Sequence, residues 1–159
     1  MKKKIMDVSK LVLRPATMDD LFDIVRLISQ DELGALRETL KNPLDPGYTK
    51  AFQQIHEDKN QALLVATHEE SVIGTYQLSL MTHLTFKGTR RLNIETVHVD
   101  PRYQGMGVGT WMMQQALVYA KNHGCTIVQL TTNKKRIRSK IFYERLGFKA
   151  THEGMKLSL

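Results

Sequence analysis

Glycine occupies every second position across one short stretch of the chain, at Gly105, Gly107 and Gly109. The stretch follows a strand-like run that ends at Val97-His98-Val99, with Asp100-Pro101 at its close. It leads into a helical pattern in which Val108, Trp111, Met112, Ala116 and Tyr119 share a face. Strand, tight loop and helix start therefore come in immediate succession. Removing Cβ at alternate positions lets backbone N–H groups approach a ligand and adopt angles that other residues resist. The first-turn amides of the helix have no internal acceptor and carry the positive end of its dipole. Such a loop is either a plain tight turn into a helix or a cradle for phosphate.

Two common phosphate patterns fail on residues. A P-loop requires Gly-x-x-x-x-Gly-Lys-Ser/Thr, and Thr110 rather than lysine follows Gly109. A dinucleotide fingerprint counted from Gly105 and Gly107 puts its third glycine on Thr110. About twenty residues further on, where that fold needs an acid, stands Gln129.

The remaining pattern reads as one mixed domain. Leu11-Val12-Leu13 is a first strand ending at Arg14-Pro15. Thr17 is a helix N-cap with Asp20 as its capping-box partner, and Leu21, Ile24, Val25 and Ile28 follow at helical spacing. Asn42-Pro43 and Asp45-Pro46-Gly47 read as loop, and Tyr48, Ala51, Phe52 and Ile55 as a second short helix. Strands are expected over residues 62–67 and 72–84, joined at Glu69-Glu70 as a hairpin, and over 91–99. After the long helix, stopped by Gly124, come a strand over 126–131, a brief helix closed by Gly147, and a strand over 148–159 interrupted at Gly154. This order argues for an α/β chain of the α+β type: a mixed central sheet with helices on both faces. Residues 1–10 read as a disordered leader and 11–159 as the domain.

Composition removes several classes. The chain of 159 residues suits one domain. No apolar stretch approaches the roughly 20 residues that span a bilayer, and Met1-Lys2-Lys3-Lys4 lacks the apolar run of a signal peptide behind it, so a cytoplasmic protein is expected. The lone Cys125 excludes an internal disulfide and reads as a small buried hydrophobe. The six histidines show no metal-binding spacing, so no metal is expected. The net charge of +7 favours anionic partners, and much of it sits at Lys134, Lys135, Arg136, Arg138 and Lys140.

Gln104-Gly105-Met106-Gly107-Val108-Gly109 resembles the [Q/R]-x-x-G-x-[G/A] motif of the GNAT superfamily of acetyl-CoA-dependent N-acetyltransferases. Asn133 and the run Ser139-Lys140-Ile141-Phe142-Tyr143-Glu144-Arg145-Leu146-Gly147-Phe148 are similar to that superfamily's second signature, in the right order and spacing. The resemblance covers residues 11–159 and is strong from Leu92 onward. It implies the GNAT fold, acetyl-CoA as co-substrate and an amine as acceptor. The amides of Gln104, Gly105, Met106, Gly107, Val108, Gly109 and Thr110 would hold the CoA pyrophosphate. The backbone of Val97, His98 and Val99 would run beside the pantetheine arm, with the Val99 N–H directed at the thioester oxygen. Asn133 and Lys140 would contact the cofactor, although Asn133 also suits a plain turn. The resemblance leaves room for a homodimer.

Acyl transfer from a thioester to an amine needs a neutral amine, a stabilised oxyanion and a proton for the departing thiolate. A lysine-like amine with pKa near 10.4 is about 1 part in 2,500 neutral at pH 7, which corresponds to roughly 4.6 kcal/mol. A general base lowers that barrier. Glu95 stands where superfamily members often carry the proposed base; otherwise it is a carboxylate on a sheet face paired with a neighbour such as Arg91. His98 has a suitable pKa, but strand alternation puts it on the face opposite Glu95, so only one of the two faces the acceptor. Tyr143 matches the tyrosine proposed to protonate the CoA sulfur; the alternative is an aromatic packed beside Phe142.

Other readings stay open. The basic run 134–140 is either a solvated surface or a contact for CoA phosphates. A non-catalytic acyl-CoA-binding regulator fits the same motifs, and a basic nucleic-acid-binding module fits the charge without any recognised module. The residues that select the acceptor are expected in the weakly matched stretch 31–48, where Asp31, Glu32 and Glu38 carry negative charge.

Overall fold

Hydrophobic alternation builds the sheet, and the computed structural model describes it over residues 5–30 and 33–159. The elements are β1 (Val12–Pro15), α1 (Leu21–Ser29), α2 (Pro46–Glu57), β2 (Gln61–His68), β3 (Ser71–Thr82), α3 (Thr85–Gly88), β4 (Arg90–Val99), α4 (Val108–Asn122), β5 (Ile127–Leu130) and α5 (Ile137–Arg145). One mixed sheet has the order β1-β2-β3-β4-β5. Its first four strands pair antiparallel, and β5 adjoins β4 beyond Thr126, whose N–H donates to the Arg90 carbonyl at 3.0 Å. Two compact units divide the chain, Met1–Gln129 and Leu130–Leu159.

Strand register assigns the faces in the first unit. Val65 lies across from Thr75, and Leu64 and Ala66 lie across from Tyr76 and Gly74. Val65 packs with Leu21, Ile24, Val25 and Leu27 of α1 and with Phe52 of α2, so these helices cover one face. Gly74 marks the other face: a Cβ there would stand 2.7 Å from Met112 Sδ on α4, so only glycine lets the helix approach this closely. Met112, Met113 and Ala116 are fully buried, as core residues should be, whereas Trp111 and Tyr119 are only half-buried.

Local chemistry explains most boundaries. Asp20 accepts from the Thr17 N–H at 2.7 Å and from both Arg14 Nη atoms at 2.7 and 2.8 Å, which anchors the start of α1 to β1. The hairpin turn is built from Glu69 and Glu70, both left-handed, as the two central residues of a strand-matched tight turn must be.

Three expectations are corrected. Asp45-Pro46-Gly47 is not loop: Asp45 caps α2 by accepting the Gly47 N–H at 2.8 Å, and Pro46 opens the first turn, where its missing N–H costs nothing. The expected strand over 148–159 does not form. Met155, Leu157 and Leu159 alternate as strand residues do, but all three are exposed, and no neighbouring strand covers them among the described residues. The strand that was to run to Leu84 ends at Thr82, because α3 follows, with left-handed Phe86 and Lys87. Of residues 1–10, Val8–Lys10 form a 3-10 turn capped by Asp7. Residues 1–4, and Asp31 and Glu32, lie outside the described residues; Glu38 accepts the Tyr48 hydroxyl at 2.7 Å.

Candidate functional site

The centre of the site is an irregularity in β4. Pairing with β3 is regular from Thr82 opposite Arg90 to Gln77 opposite Glu95, and then resumes with Thr75 opposite His98 and Gly74 opposite Val99. Two steps along β3 therefore match three along β4, so β4 carries one surplus residue. Thr96 absorbs the surplus with φ of 55°, a left-handed conformation that costs a threonine about 1–2 kcal/mol. The consequence overturns the alternation expected from sequence. Gln77 and Thr75 share a face of β3, so Glu95 and His98, their partners, share a face too. Glu95 is exposed there and His98 half-buried.

Beyond the irregularity the strand enters the glycine loop through Asp100, which is 1% exposed. Asp100 accepts from the Arg102 N–H and Nε at 3.0 Å each, from Arg102 Nη2 at 2.8 Å, and from Arg26 Nη1 at 3.0 Å. The Arg102 guanidinium, then Arg102's backbone N–H and Arg26, hold its carboxyl well below the usual range against the opposing effect of burial. Gln104 donates from Nε2 to the Val99 carbonyl at 2.9 Å and closes the loop against the strand end.

Gly105 and Gly107 are left-handed, with φ of 77° and 95°, and a Cβ at Gly105 would meet open space. Gly109 differs: it already lies inside the first turn of α4. The helical ladder starts where the Trp111 N–H donates to the Gly107 carbonyl at 3.0 Å, so the amides of Val108, Gly109 and Thr110 precede it and have no acceptor one turn back. The Met6 N–H donates to the Met106 carbonyl at 2.9 Å, which brings the N-terminal segment against the loop.

In the second unit, Asn133 Oδ1 accepts the Lys135 N–H at 2.9 Å and the Asn133 carbonyl accepts the Arg136 N–H at 2.8 Å, a turn that opens α5. Tyr143 packs edge-on between Phe142 and Phe148, at ring distances of 5.2 and 5.9 Å. Burial pushes its phenol above the ordinary value, with Arg136 opposing. The basic run is partly paired: Lys134 with Glu153 at 2.7 Å and Lys140 with Glu144 at 3.8 Å, all exposed.

Several other features are now placed. Cys125 is half-buried rather than buried, and burial raises its thiol pKa, which lowers its nucleophilicity. Among the described residues no group of three His, Cys, Asp or Glu side chains could hold a metal. Two surface hollows of about 390 and 210 Å³ are lined by other residues than Glu95 and the glycine loop. Sequence reading missed Asp100 and Arg26, and it missed Tyr76, whose hydroxyl is buried without a hydrogen-bond partner among the described residues. Tyr76 sits on β3 between the partners of Glu95 and His98, opposite the surplus residue. Only the register reveals that position.

Comparison with known proteins identifies the family and the fold. Residues 25–148 match the model of the acetyltransferase (GNAT) family, and the chain belongs to that family. A glucosamine 6-phosphate N-acetyltransferase of Trypanosoma brucei brucei is 33% identical over 55% of this chain and 58% of its own length. An aminoalkylphosphonate N-acetyltransferase of Salmonella typhimurium is 29% identical over 88% of this chain and 86% of its own. A crystal structure of a transcriptional regulator from Bacillus halodurans superposes with a TM-score of 0.91 at 40% identity, over 94% of this chain and 99% of that one. The five-stranded mixed sheet is the GNAT fold.

Proposed function

We propose that this chain transfers the acetyl group of acetyl-CoA to the primary amine of a small molecule by direct attack in a ternary complex. The observation that carries the reading is the left-handed pair Gly105 and Gly107, which leads from β4 into the first amides of α4. Open space over Gly105 suits a diphosphate, and the helix N-terminus favours its charge. The backbone of Val97, His98 and Val99 runs beside the pantetheine arm, and Asn133 and Lys140 complete the cofactor contacts. Glu95 takes the proton of the attacking amine, directly or through water. The amine lone pair forms the C–N bond, the C–S bond breaks, and Tyr143 gives its proton to the departing sulfur. A phenol's ordinary value near 10 already keeps the hydroxyl protonated at neutral pH, and burial raises it further. Two relatives named for phosphorus-bearing amine substrates support a small-molecule acceptor over a protein lysine.

A second reading is favoured by the 40% identical structure described as a transcriptional regulator: a protein that holds acyl-CoA and does not turn it over. One experiment separates the two. Purified protein is given acetyl-CoA and a panel of primary amines, and free thiol is measured. Acetyl transfer requires amine-dependent thiol release. CoA binding in calorimetry without any release supports the regulator and ends the enzymatic reading.

A further inference from the structure

A row of polar side chains runs along one sheet face from Glu95 toward the start of β4. Regular pairing sets Arg91, Asn93 and Glu95 across from Met81, Ser79 and Gln77, so the three share a face. Gln129, just inside β5, ties the row sideways: its Nε2 donates to Asn93 Oδ1 and its Oε1 accepts from Arg91 Nη1, both at 3.4 Å. Arg91 ends the row with its charge uncompensated. Its remaining contacts are a 3.4 Å bond from Nη2 to Thr85 Oγ1 and a stacking approach to Phe86, 5.5 Å from the ring centre. Its Nε is buried with no acceptor, and no carboxylate pairs with it among the described residues. The carboxylate partnership with Glu95 considered from sequence does not form; the two residues stand four positions apart on the same face.

A half-buried guanidinium has five donors in a fixed fork that fits an oxoanion. Arg91 satisfies two of them, with long bonds to neutral groups. The geometry points to an acceptor that carries an oxoanion as well as its amine, with Arg91 binding the oxoanion while Glu95 serves the amine. This rests on Glu95 as the base in the reading above. Four residues of strand span about 13 Å. A hydrogen bond of roughly 3 Å at each end leaves about 7 Å between nitrogen and oxoanion, the span of a short aminoalkyl chain or one ring. Asn93 and Gln129 line the interval and suit hydroxyl groups. Phosphonate, phosphate and carboxylate share the chemistry.

The test uses 4-aminobutylphosphonate, 5-aminopentanoate and 5-aminopentanol, titrated calorimetrically into the full chain saturated with CoA, so that the glycine loop is occupied. Both anionic amines are expected to bind about 10–100-fold more tightly than the alcohol. Arg91→Gln should remove that preference and Arg91→Lys should keep part of it, with CoA affinity and thermal midpoint reporting that each variant folds. The ranking of phosphonate against carboxylate identifies the oxoanion. Equal binding of all three by the unaltered protein, or binding by none, overturns the inference, as does an anion preference that survives Arg91→Gln. Thiol release from acetyl-CoA is followed separately. Arg91-dependent binding without release would end the acetyl-transfer reading and leave the Arg91 site standing. Release with no preference among the three would do the reverse.

Discussion

Arg26 and Asp100 stand 74 residues apart in sequence, and Arg26 Nη1 donates to Asp100 Oδ2 at 3.0 Å. Arg26 belongs to α1 and also donates to the Val72 carbonyl at 3.3 Å, while Asp100 opens the glycine loop. One carboxylate thus fastens the loop both to Arg102, two residues on, and to a helix on the sheet.

Asp100→Asn should therefore loosen the loop as well as the fold. Neutralising the buried carboxylate removes the charge that Arg102 and Arg26 share, although Arg26 keeps its pair with Asp23 at 3.0 Å, and a loss of about 2–3 kcal/mol is expected in urea unfolding. CoA affinity should fall with it. A variant with unchanged stability and affinity would show that the pair is ornamental.

The same carboxylates set the acid response. Hydrogen bonds from Arg14, opposed by burial and aided by Thr17, push Asp20 down to about 2, and Asp100 is held below the ordinary range by Arg102 and Arg26. A depressed folded-state pKa stabilises the fold fully above the unfolded value near 3.9 and loses that contribution as pH falls toward the folded one. Stability should hold to about pH 4 and drop between about pH 4 and 2. Asp20→Asn should lower neutral stability by about 1–2 kcal/mol and flatten that drop, read from thermal midpoints across pH.

Glu95→Gln should reduce kcat about 100-fold or more while CoA binding stays within twofold. Because β4's surplus residue puts His98 on the same face, His98→Ala is the necessary companion variant. Loss of turnover in His98→Ala but not in Glu95→Gln would move the base to the histidine.

Tyr143→Phe should lower kcat more than it weakens cofactor binding, since the ring still packs between Phe142 and Phe148. With its phenol held above the ordinary tyrosine value, Tyr143 should contribute no falling limb to the pH–rate profile below about pH 10. Full turnover in the variant would remove the proposed acid.

Gly107→Glu should abolish CoA binding by placing charge where phosphate belongs, and Gly105→Ala should weaken it through backbone strain of about 1–2 kcal/mol alone. Calorimetry with CoA reads both.

The legible part of this chain was the part governed by local rules. The helix bearing Val108, Met112 and Ala116, the Glu69-Glu70 hairpin and the glycine loop all follow from periodicity and backbone freedom, and each formed where expected. What escaped depends on partners distant in sequence. Strand alternation predicted His98 to oppose Glu95, and nothing local announces that Thr96 turns left-handed; the register with β3 decides it. Asp100 reads as a turn residue until Arg26 arrives from α1. Met155, Leu157 and Leu159 carry a strand pattern, but a pattern cannot supply the neighbour that would pair with it.

The surplus residue in β4 also makes the strand a phase shifter. Everything before Thr96 is indexed to one pleat and everything after it to the next, including the lead into the glycine loop. Flattening that threonine into an even pleat, with no residue removed, would turn His98 to the face opposite the glutamate and slip the loop one step along β3. Excising it instead would leave three residues facing three and keep Thr75 opposite His98, so the left-handed turn, and not the residue count, aims the acceptor side and the phosphate side together.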